Sequence, residues 1–313
     1  MKANEFWPRV AVIVLNWNGL EDTLECLESL RRLDYPNYEV ILVDNGSADG
    51  SPEVIRKHFP EVKLIENRAN LGFVAGNNVG MAFALMDGAD CIFLLNNDTR
   101  VDENCLRELA RAAKSSPEIG IVGPLMHRIF QPEITDMGGD FNFWTGSVRL
   151  RRFNRKGEKL QPIDYVWGCG FFVKAEVLRE IGLFDPCYVA YFEDADFCMR
   201  ARARGYRTVV ATNAQMWHKI GRSGEKRFLW QTYMRLRNHF HFFLSHARPY
   251  QYFTLIPALL FYQMPMFLIR SLRLYLARKL MPKYRDRPIS LWYRERTRIS
   301  FTDFTDLSGC LRG

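Results

Sequence analysis

Three stretches of this sequence carry residue types and spacings that could do chemistry. "LLNNDT" (94–99) runs two leucines straight into Asn96, Asn97 and Asp98. "FEDADF" (192–197) sets Glu193, Asp194 and Asp196 within four residues, and "VDNGSADGS" (43–51) ends an apolar run in Asp44 and Asn45. A carboxylate beside two amides suits a hard divalent cation, which commonly uses one or two protein carboxylates and completes its shell with phosphate oxygens and water. His218, in "MWHKIGRSG", could add a nitrogen ligand, a combination that admits Mn²⁺ as well as Mg²⁺. Crowded carboxylates raise one another's pKa, so one member of the 193–196 cluster could take a proton from a hydroxyl near neutral pH. Asp44 could accept from a base N–H or a ribose hydroxyl, with Trp17 stacking on the base.

Each feature also has a plainer explanation. Acids at a helix amino terminus are favoured by the helix dipole, an Asn or Asp after a strand often only forms a turn, and a lone histidine after a tryptophan often only packs or caps. The order of elements weighs against coincidence. "RVAVIVLN" (9–16), "YEVILVD" (38–44), "VKLIE" (62–66) and "CIFLL" (91–95) are apolar runs of strand length, of the kind covered on both faces. Between them Leu24, Leu27, Leu30 and Leu33 recur at helical spacing after Asp22 as a cap, and Gly72–Met86 and 103–113 read as further helices. Such alternation predicts an α/β fold, a mostly parallel sheet flanked by helices. Ligands of these sheets bind beyond the carboxyl ends of the strands. "LNWNG" (15–19), 43–51 and 94–99 would therefore converge on one crevice.

Past Gly120 the pattern loosens into shorter apolar pieces. Residues 138–158 read as a polar excursion with hairpin character, a candidate loop over the site. Residues 166–185 read as a glycine-punctuated strand and a short helix, and 191–211 as acids, an amphipathic helix and a strand. The seven cysteines include no Cys-x-x-Cys pair, which favours reduced thiols over a disulfide frame or zinc site. The amino-terminal apolar run is only a strand long, so no secretory signal is read there.

The net charge of +8 is concentrated: ten Lys/Arg against two acids fall between positions 270 and 298. A basic block implies an anionic partner. It follows the apolar, aromatic-rich segment 252–269, interrupted by Pro257 and Pro265, a pairing better explained by a membrane surface than by nucleic acid. The plainer alternative is a buried helix pair with a solvated basic face.

The ordered set "VAVIVLNWNG", "ILVDNGSADGS", "NLGFVAGNN", "LLNNDT", "GCGFFVKAEVLREIGLFD", "YFEDADFCMRARARGY" and "WHKIGRSG" closely resembles family 2 glycosyltransferases of the rhamnosyltransferase-like branch. The resemblance implies a GT-A fold over 1–224, with 225–313 as a helical, membrane-associating region. It implies an inverting enzyme that moves a sugar, rhamnose being favoured, from a dTDP- or UDP-sugar to a saccharide acceptor. That acceptor would be polyprenyl-diphosphate-linked, at the cytoplasmic face of the membrane, in cell-surface polysaccharide synthesis. Asn96 and Asp98 resemble the ends of the family's Asp-x-Asp metal motif, with Asn96 replacing the first acid, and His218 would complete a Mg²⁺ or Mn²⁺ site. Asp194 resembles the catalytic base, supported by Glu193. Asn16, Trp17, Asp44, Asn45, Gly72, Asn77, Asn78 and Asn97 are the expected donor contacts; Asn77 stands where many relatives carry Arg. Asp196, Arg222, Arg235 and Arg237 are candidates for acceptor or phosphate.

Competing classes fare less well. A sugar nucleotidyltransferase would carry a basic Gly-rich loop where "LNWNGLEDT" is acidic, and a dehydrogenase would carry Gly-x-Gly-x-x-Gly. A non-catalytic membrane adaptor retaining the fold is the remaining alternative.

Overall fold

The Val- and Ile-rich runs become β1 (Val10–Asn16), β2 (Tyr38–Asp44), β3 (Lys63–Glu66) and β4 (Cys91–Asn96) in a computed structural model that describes residues 7–153, 159–219 and 228–280. They lie in the order β3-β2-β1-β4, all parallel. Successive side chains of a strand face opposite ways, and β1 shows the consequence. Val10, Val12 and Val14 enter one core layer with Leu27 and Leu30, while Ala11 and Ile13 enter the other with Val74 and Met81. The helices supplying those partners are α1 (Leu20–Arg31) and α3 (Gly72–Met86), with α2 (Ser51–His58) between them in the chain. Gly76 and Gly80 let α3 approach the sheet: a Cβ at either would stand 2.6 Å from Leu15 or Ile13.

Beyond β4 come β5 (Thr99–Val101), α4 (Cys105–Lys114), β6 (Ile119–Arg128), β7 (Gln131–Asn142), β8 (Ser147–Arg152), β9 (Leu160–Pro162), β10 (Gly170–Lys174), α5 (Ala175–Ile181), α6 (Glu193–Ala203) and β11 (Arg207–His218). The sheet continues β4-β10-β6-β11-β5, with β10 antiparallel to both neighbours and β11 parallel to β6. The parallel arrangement thus holds for the first four strands and reverses at β10, giving a mixed α/β sheet.

Two local expectations change and a third holds. Gly19, not Asp22, precedes α1, and Asp22 accepts from Lys219 Nζ. The loosened pattern after Gly120 is a strand, β6, nearly all buried. Its glycines are close-approach positions, since a Cβ at Gly120 would lie 2.8 Å from Val177 and one at Gly123 2.6 Å from Val166. The hairpin character expected within 138–158 is present as the antiparallel pair β7 and β8, and residues 154–158 fall outside the described set.

The chain then enters α7 (Phe228–His246), a 3₁₀ turn (Pro249–Gln251), α8 (Tyr252–Ala258), a π-helical turn (Leu259–Gln263) and α9 (Met264–Leu280). The expected boundary at 224/225 lies outside the described residues, and α7, beyond it, packs into the main core through fully buried Phe242 and Phe243. The hairpin tip docks there too, with Phe141 4.5 Å from Phe242 and Gln263 Nε2 donating to Thr145 O at 3.0 Å. The following segment is different in kind. Pro249–Arg273 is long and apolar enough to cross a membrane and only 11% of its most apolar stretch is buried; Phe253 and Phe261 are more than 80% exposed. Most of the basic block lies beyond the described residues.

Candidate active site

The carboxyl end of β4 delivers Asp98 to the end of β11, where His218 Nε2 stands 3.0 Å from Asp98 Oδ1. The register that pairs His218 with Thr99, and the Lys219 N–H donated to Asp98 O at 3.0 Å, hold the two side chains together. Burial pushes the Asp98 carboxyl up, but the charge and hydrogen bond of His218 outweigh it and leave the group below the ordinary range. Burial conversely lowers His218, and Asp98 with the Cys169 thiol overcomes this, raising the imidazole to about 10. The pair is therefore imidazolium and carboxylate at neutral pH.

This pair fits a divalent cation. Ligand atoms about 2.1 Å from an octahedral Mg²⁺ or Mn²⁺ stand about 3 Å apart, which is the observed separation. Asn96, half-buried at the same strand end, is near enough in sequence to contribute its amide oxygen. Among the described residues there is no cluster of three or more His, Cys, Asp or Glu that could hold a metal. A cation here would depend on a phosphate-bearing ligand for the rest of its shell.

The second constellation opens α6. Asp194 accepts two backbone N–H bonds, from Gly168 to Oδ2 and from Ala195 to Oδ1, both 2.8 Å. Glu193 is 5% exposed, and its Oε2 is buried without a hydrogen-bond partner among the described residues. Burial first, and the adjacent Asp194 charge second, push the Glu193 carboxyl well above its ordinary value. Glu193 is thus the member of the pair that its surroundings drive toward the protonated form. Gly168 makes room for both: a Cβ there would sit 3.5 Å from Asp194 Oδ2 and 3.6 Å from Glu193 Oε1.

One short turn joins the two constellations. Gly168 donates to Asp194, Cys169 perturbs His218, the Cys169 carbonyl accepts from Asn96 N at 3.4 Å, and Gly170 pairs with Leu95. The sequence pattern marks the glycines of this stretch only as strand punctuation; their position between both clusters follows from β10 running antiparallel beside β4.

Other expected site residues are placed differently. Asp196 is paired with Arg200 Nε at 2.7 Å and with His246 Nε2 at 2.8 Å, contacts that fasten α6 to α7. Arg237 donates to Cys187 O and Asn238 Oδ1, so it too is internal. Asn78 is bonded through both amide atoms to the Phe184 backbone, and Asn77 bonds back to Phe73 O on its own helix. Asn97 Nδ2 ties the β4 end to Thr23 and Asn16. Asn45 links Asn67, Asn70 and Gly72. Asn45, Asn77, Asn78 and Asn97 are thus each held by hydrogen bonds within the frame around the crevice. Asn16 and Asp44, at the carboxyl ends of β1 and β2, are joined at 2.8 Å and at most 1% exposed. Trp17 keeps 43% of its surface exposed above them, and Gly72, at φ +84, starts α3 at the rim. The Arg235 guanidinium lies 4.4 Å over the Tyr191 ring, and Arg222 is outside the described residues.

With this geometry in hand, comparison with known proteins is informative. The model of the family described as Glycosyl transferase family 2 matches residues 11–182, over half of the chain. An N-acetylglucosaminyl-diphospho-decaprenol L-rhamnosyltransferase of Mycobacterium tuberculosis is 27% identical over 204 residues, which cover 57% of this chain and 66% of the relative, just under two thirds of its length. Among solved structures, the mannosyltransferase PcManGT from Pyrobaculum calidifontis in complex with GDP-Man and Mn²⁺ superposes with a TM-score of 0.58 at 19% identity, covering 88% of this chain and 76% of that one. GalNAc-T7 with UDP, GalNAc and Mn²⁺ gives a TM-score of 0.58 at 16% identity, over 69% of this chain and 44% of that one. Both structures share the fold, and both hold a divalent cation.

Proposed function

Because the chain belongs to glycosyl transferase family 2, we propose that it moves a sugar from a nucleotide-diphospho-sugar to a hydroxyl of a saccharide acceptor, inverting the anomeric centre. The observation carrying this reading is the Gly168–Gly170 turn, which brings a carboxylate–imidazole pair suited to a cation against a carboxylate pair holding one proton. In the reaction the acceptor oxygen attacks the anomeric carbon, the bond to the diphosphate breaks with its electron pair leaving on phosphate oxygen, and Asp194 takes the hydroxyl proton. Protonated Glu193 keeps a second negative charge away from that base. Asp98 and His218, with the Asn96 amide, would hold Mg²⁺ or Mn²⁺, which when bound supplies charge compensation to the departing diphosphate. Trp17 would stack on the base above the Asn16–Asp44 floor.

A dTDP- or UDP-sugar is the donor we favour, with rhamnose as the sugar and a polyprenyl-diphosphate-linked saccharide as acceptor, for use in cell-surface polysaccharide synthesis. The rhamnosyltransferase likeness supports this choice. Arg235, beside the loop that carries the carboxylates, is the remaining described candidate for the acceptor diphosphate. Proton NMR of the product from a panel of α- and β-linked nucleotide sugars tests the reading. Inverted product with release of nucleoside diphosphate is expected; retained configuration would refute the single displacement.

Cation binding has a pH signature. Since His218 stands at about 10 in the metal-free protein, coordination must expel its proton. Calorimetry of Mn²⁺ plus nucleoside diphosphate at pH 7, in buffers of different ionisation enthalpy, should show release of about one proton, with affinity rising about tenfold per pH unit below that value. His218→Gln should abolish the release, and an unchanged release would remove His218 from the cation site.

The exposed face of α8 and α9 supports docking of the C-terminal region on the inner face of the cell membrane. Phe253 on α8 and Phe261 and Tyr262 on the following π-helical turn are exposed, flanked in sequence by Arg248 before them and Arg270 and Arg273 after them. Burying one aromatic side chain is worth about 1.5–3 kcal/mol. Phe253→Ser combined with Phe261→Ser should therefore weaken binding to anionic vesicles by at least about tenfold. Undiminished flotation with vesicles would place the anchor elsewhere.

A further inference from the structure

We propose that Asn238 is the positioning residue of the catalytic carboxylates, an inference that rests on the sugar-transfer reading above. The chain reaches Glu193 through a loop in an unusual conformation. Val189, Tyr191 and Phe192 have φ of +59, +69 and +72, although none is glycine. At Val189 ψ is −52, and Ala190 N donates to Tyr188 O at 2.5 Å. That is a γ-turn of the rare, strained hand, centred on a β-branched residue for which positive φ is least tolerated. Conformations of this kind persist only where their surroundings over-determine them.

The over-determination comes from one side chain. Asn238, on α7 and fully buried, donates through Nδ2 to Tyr188 O and Ala190 O at 2.8 Å and to Tyr191 O at 2.9 Å. Three carbonyls of the 188–191 loop thus converge on a single amide nitrogen and share its two hydrogens. Its orientation is fixed as well: Arg237 Nη1 donates to Asn238 Oδ1 at 2.8 Å and to Cys187 O at 2.9 Å, so only the NH₂ end can face the loop. No side chain of similar size offers two N–H donors on one atom while accepting at the other end.

The clamped loop links both halves of the site. Val189 O accepts from Val74 N at 3.2 Å in the first turn of α3, on the donor side. Phe192 O accepts from Asp196 N at 2.8 Å and so begins α6, whose first two residues are Glu193 and Asp194. Release of the clamp lets the loop relax toward ordinary φ, and the first turn of α6 shifts with it. The donor floor on β1 and β2 does not depend on this loop, so the effect falls on turnover rather than on donor binding.

Steady-state transfer by the full chain tests this with Asn238→Ala, Val189→Gly and the double variant. Asn238→Ala should lower kcat by about 100-fold, the scale of a misplacement of roughly 1 Å, with the donor KM changed by less than about threefold. Glycine adopts positive φ without strain, so in a double-mutant cycle Val189→Gly should recover at least about tenfold of the loss caused by Asn238→Ala. A folded Asn238→Ala enzyme with normal kcat, or a loss that Val189→Gly does not relieve, overturns the proposal. Should that variant not fold, Asn238→Ser, which keeps one donor, replaces it with the same rescue required. If the wild-type protein transfers no sugar, the proposed function fails and the clamp is judged by hydrogen exchange. Amides 188–192 must then exchange faster in Asn238→Ala than in wild type, with β1 unchanged, and equal rates overturn it.

Discussion

Asp194→Asn should bind nucleotide and cation as the wild type does and turn over about 10²–10⁴ times more slowly, the usual contribution of a general base. The amide keeps the size of the side chain, and its oxygen can still accept one of the two N–H bonds from Gly168 and Ala195. It loses the charge that accepts a proton. Glu193→Gln should behave otherwise, because its surroundings already drive Glu193 toward the neutral form. Its pKa in the folded protein lies well above the ordinary 4.5, through burial and the neighbouring Asp194 charge. A carboxyl raised on folding contributes stability that is complete below its unfolded value and is lost as pH rises toward its folded value. Glutamine does not ionise, so Glu193→Gln should equal the wild type in thermal midpoint near pH 4 and exceed it near pH 8. Transfer by this variant should fall far less than in Asp194→Asn. Equal losses of turnover in the two variants would mean that the roles are shared or reversed.

Asp98→Ala should cost about 10²–10³ in turnover, the scale found when one pre-organised group facing developing charge is removed. The substitution also leaves buried His218 without its counter-charge. Burial alone lowers an imidazole and Asp98 is the principal group raising it, so His218 should titrate well below its present value in the variant. Excess Mn²⁺ should not restore the rate, since Asn96 brings no charge to replace Asp98. Full recovery at high Mn²⁺ would show that Asp98 only tunes affinity. His218→Ala should be the milder change, because a carboxylate and phosphate oxygens suit a hard cation better than imidazole does.

Much of this frame was legible in the residues, and the limits have physical causes. The β1 to β4 runs are continuous and apolar because both faces of those strands are covered, a pattern few other structures produce. Asp98 was legible because a polar triplet closing such a run needs a reason. β6 was not, because Gly120, Gly123 and Pro124 dilute its apolar pattern; close packing against Val177 and Val166 selects small residues where periodicity looks for large ones. Of the acids in "FEDADF", sequence alone could not tell the pair proposed to act from Asp196, whose partners are Arg200, one helical turn on, and His246, 50 residues away. The internal hydrogen bonds of Arg237 and of the asparagines 77, 78 and 97 were hidden for a related reason. Hydrogen-bonding capacity is a property of the side chain, and the partner it meets is a property of the fold. Asn238 carries no motif at all; only the three carbonyls around it disclose its use.

The most direct test of the central claim is calorimetric titration of the full-length protein with dTDP and with UDP, in the presence and absence of Mn²⁺. The account predicts that at least one pyrimidine diphosphate binds, that binding requires the cation, and that Asp98→Ala abolishes the cation dependence. Folded protein that binds no nucleoside diphosphate under either condition would contradict it, and would favour a membrane-associated adaptor that keeps the fold without the reaction.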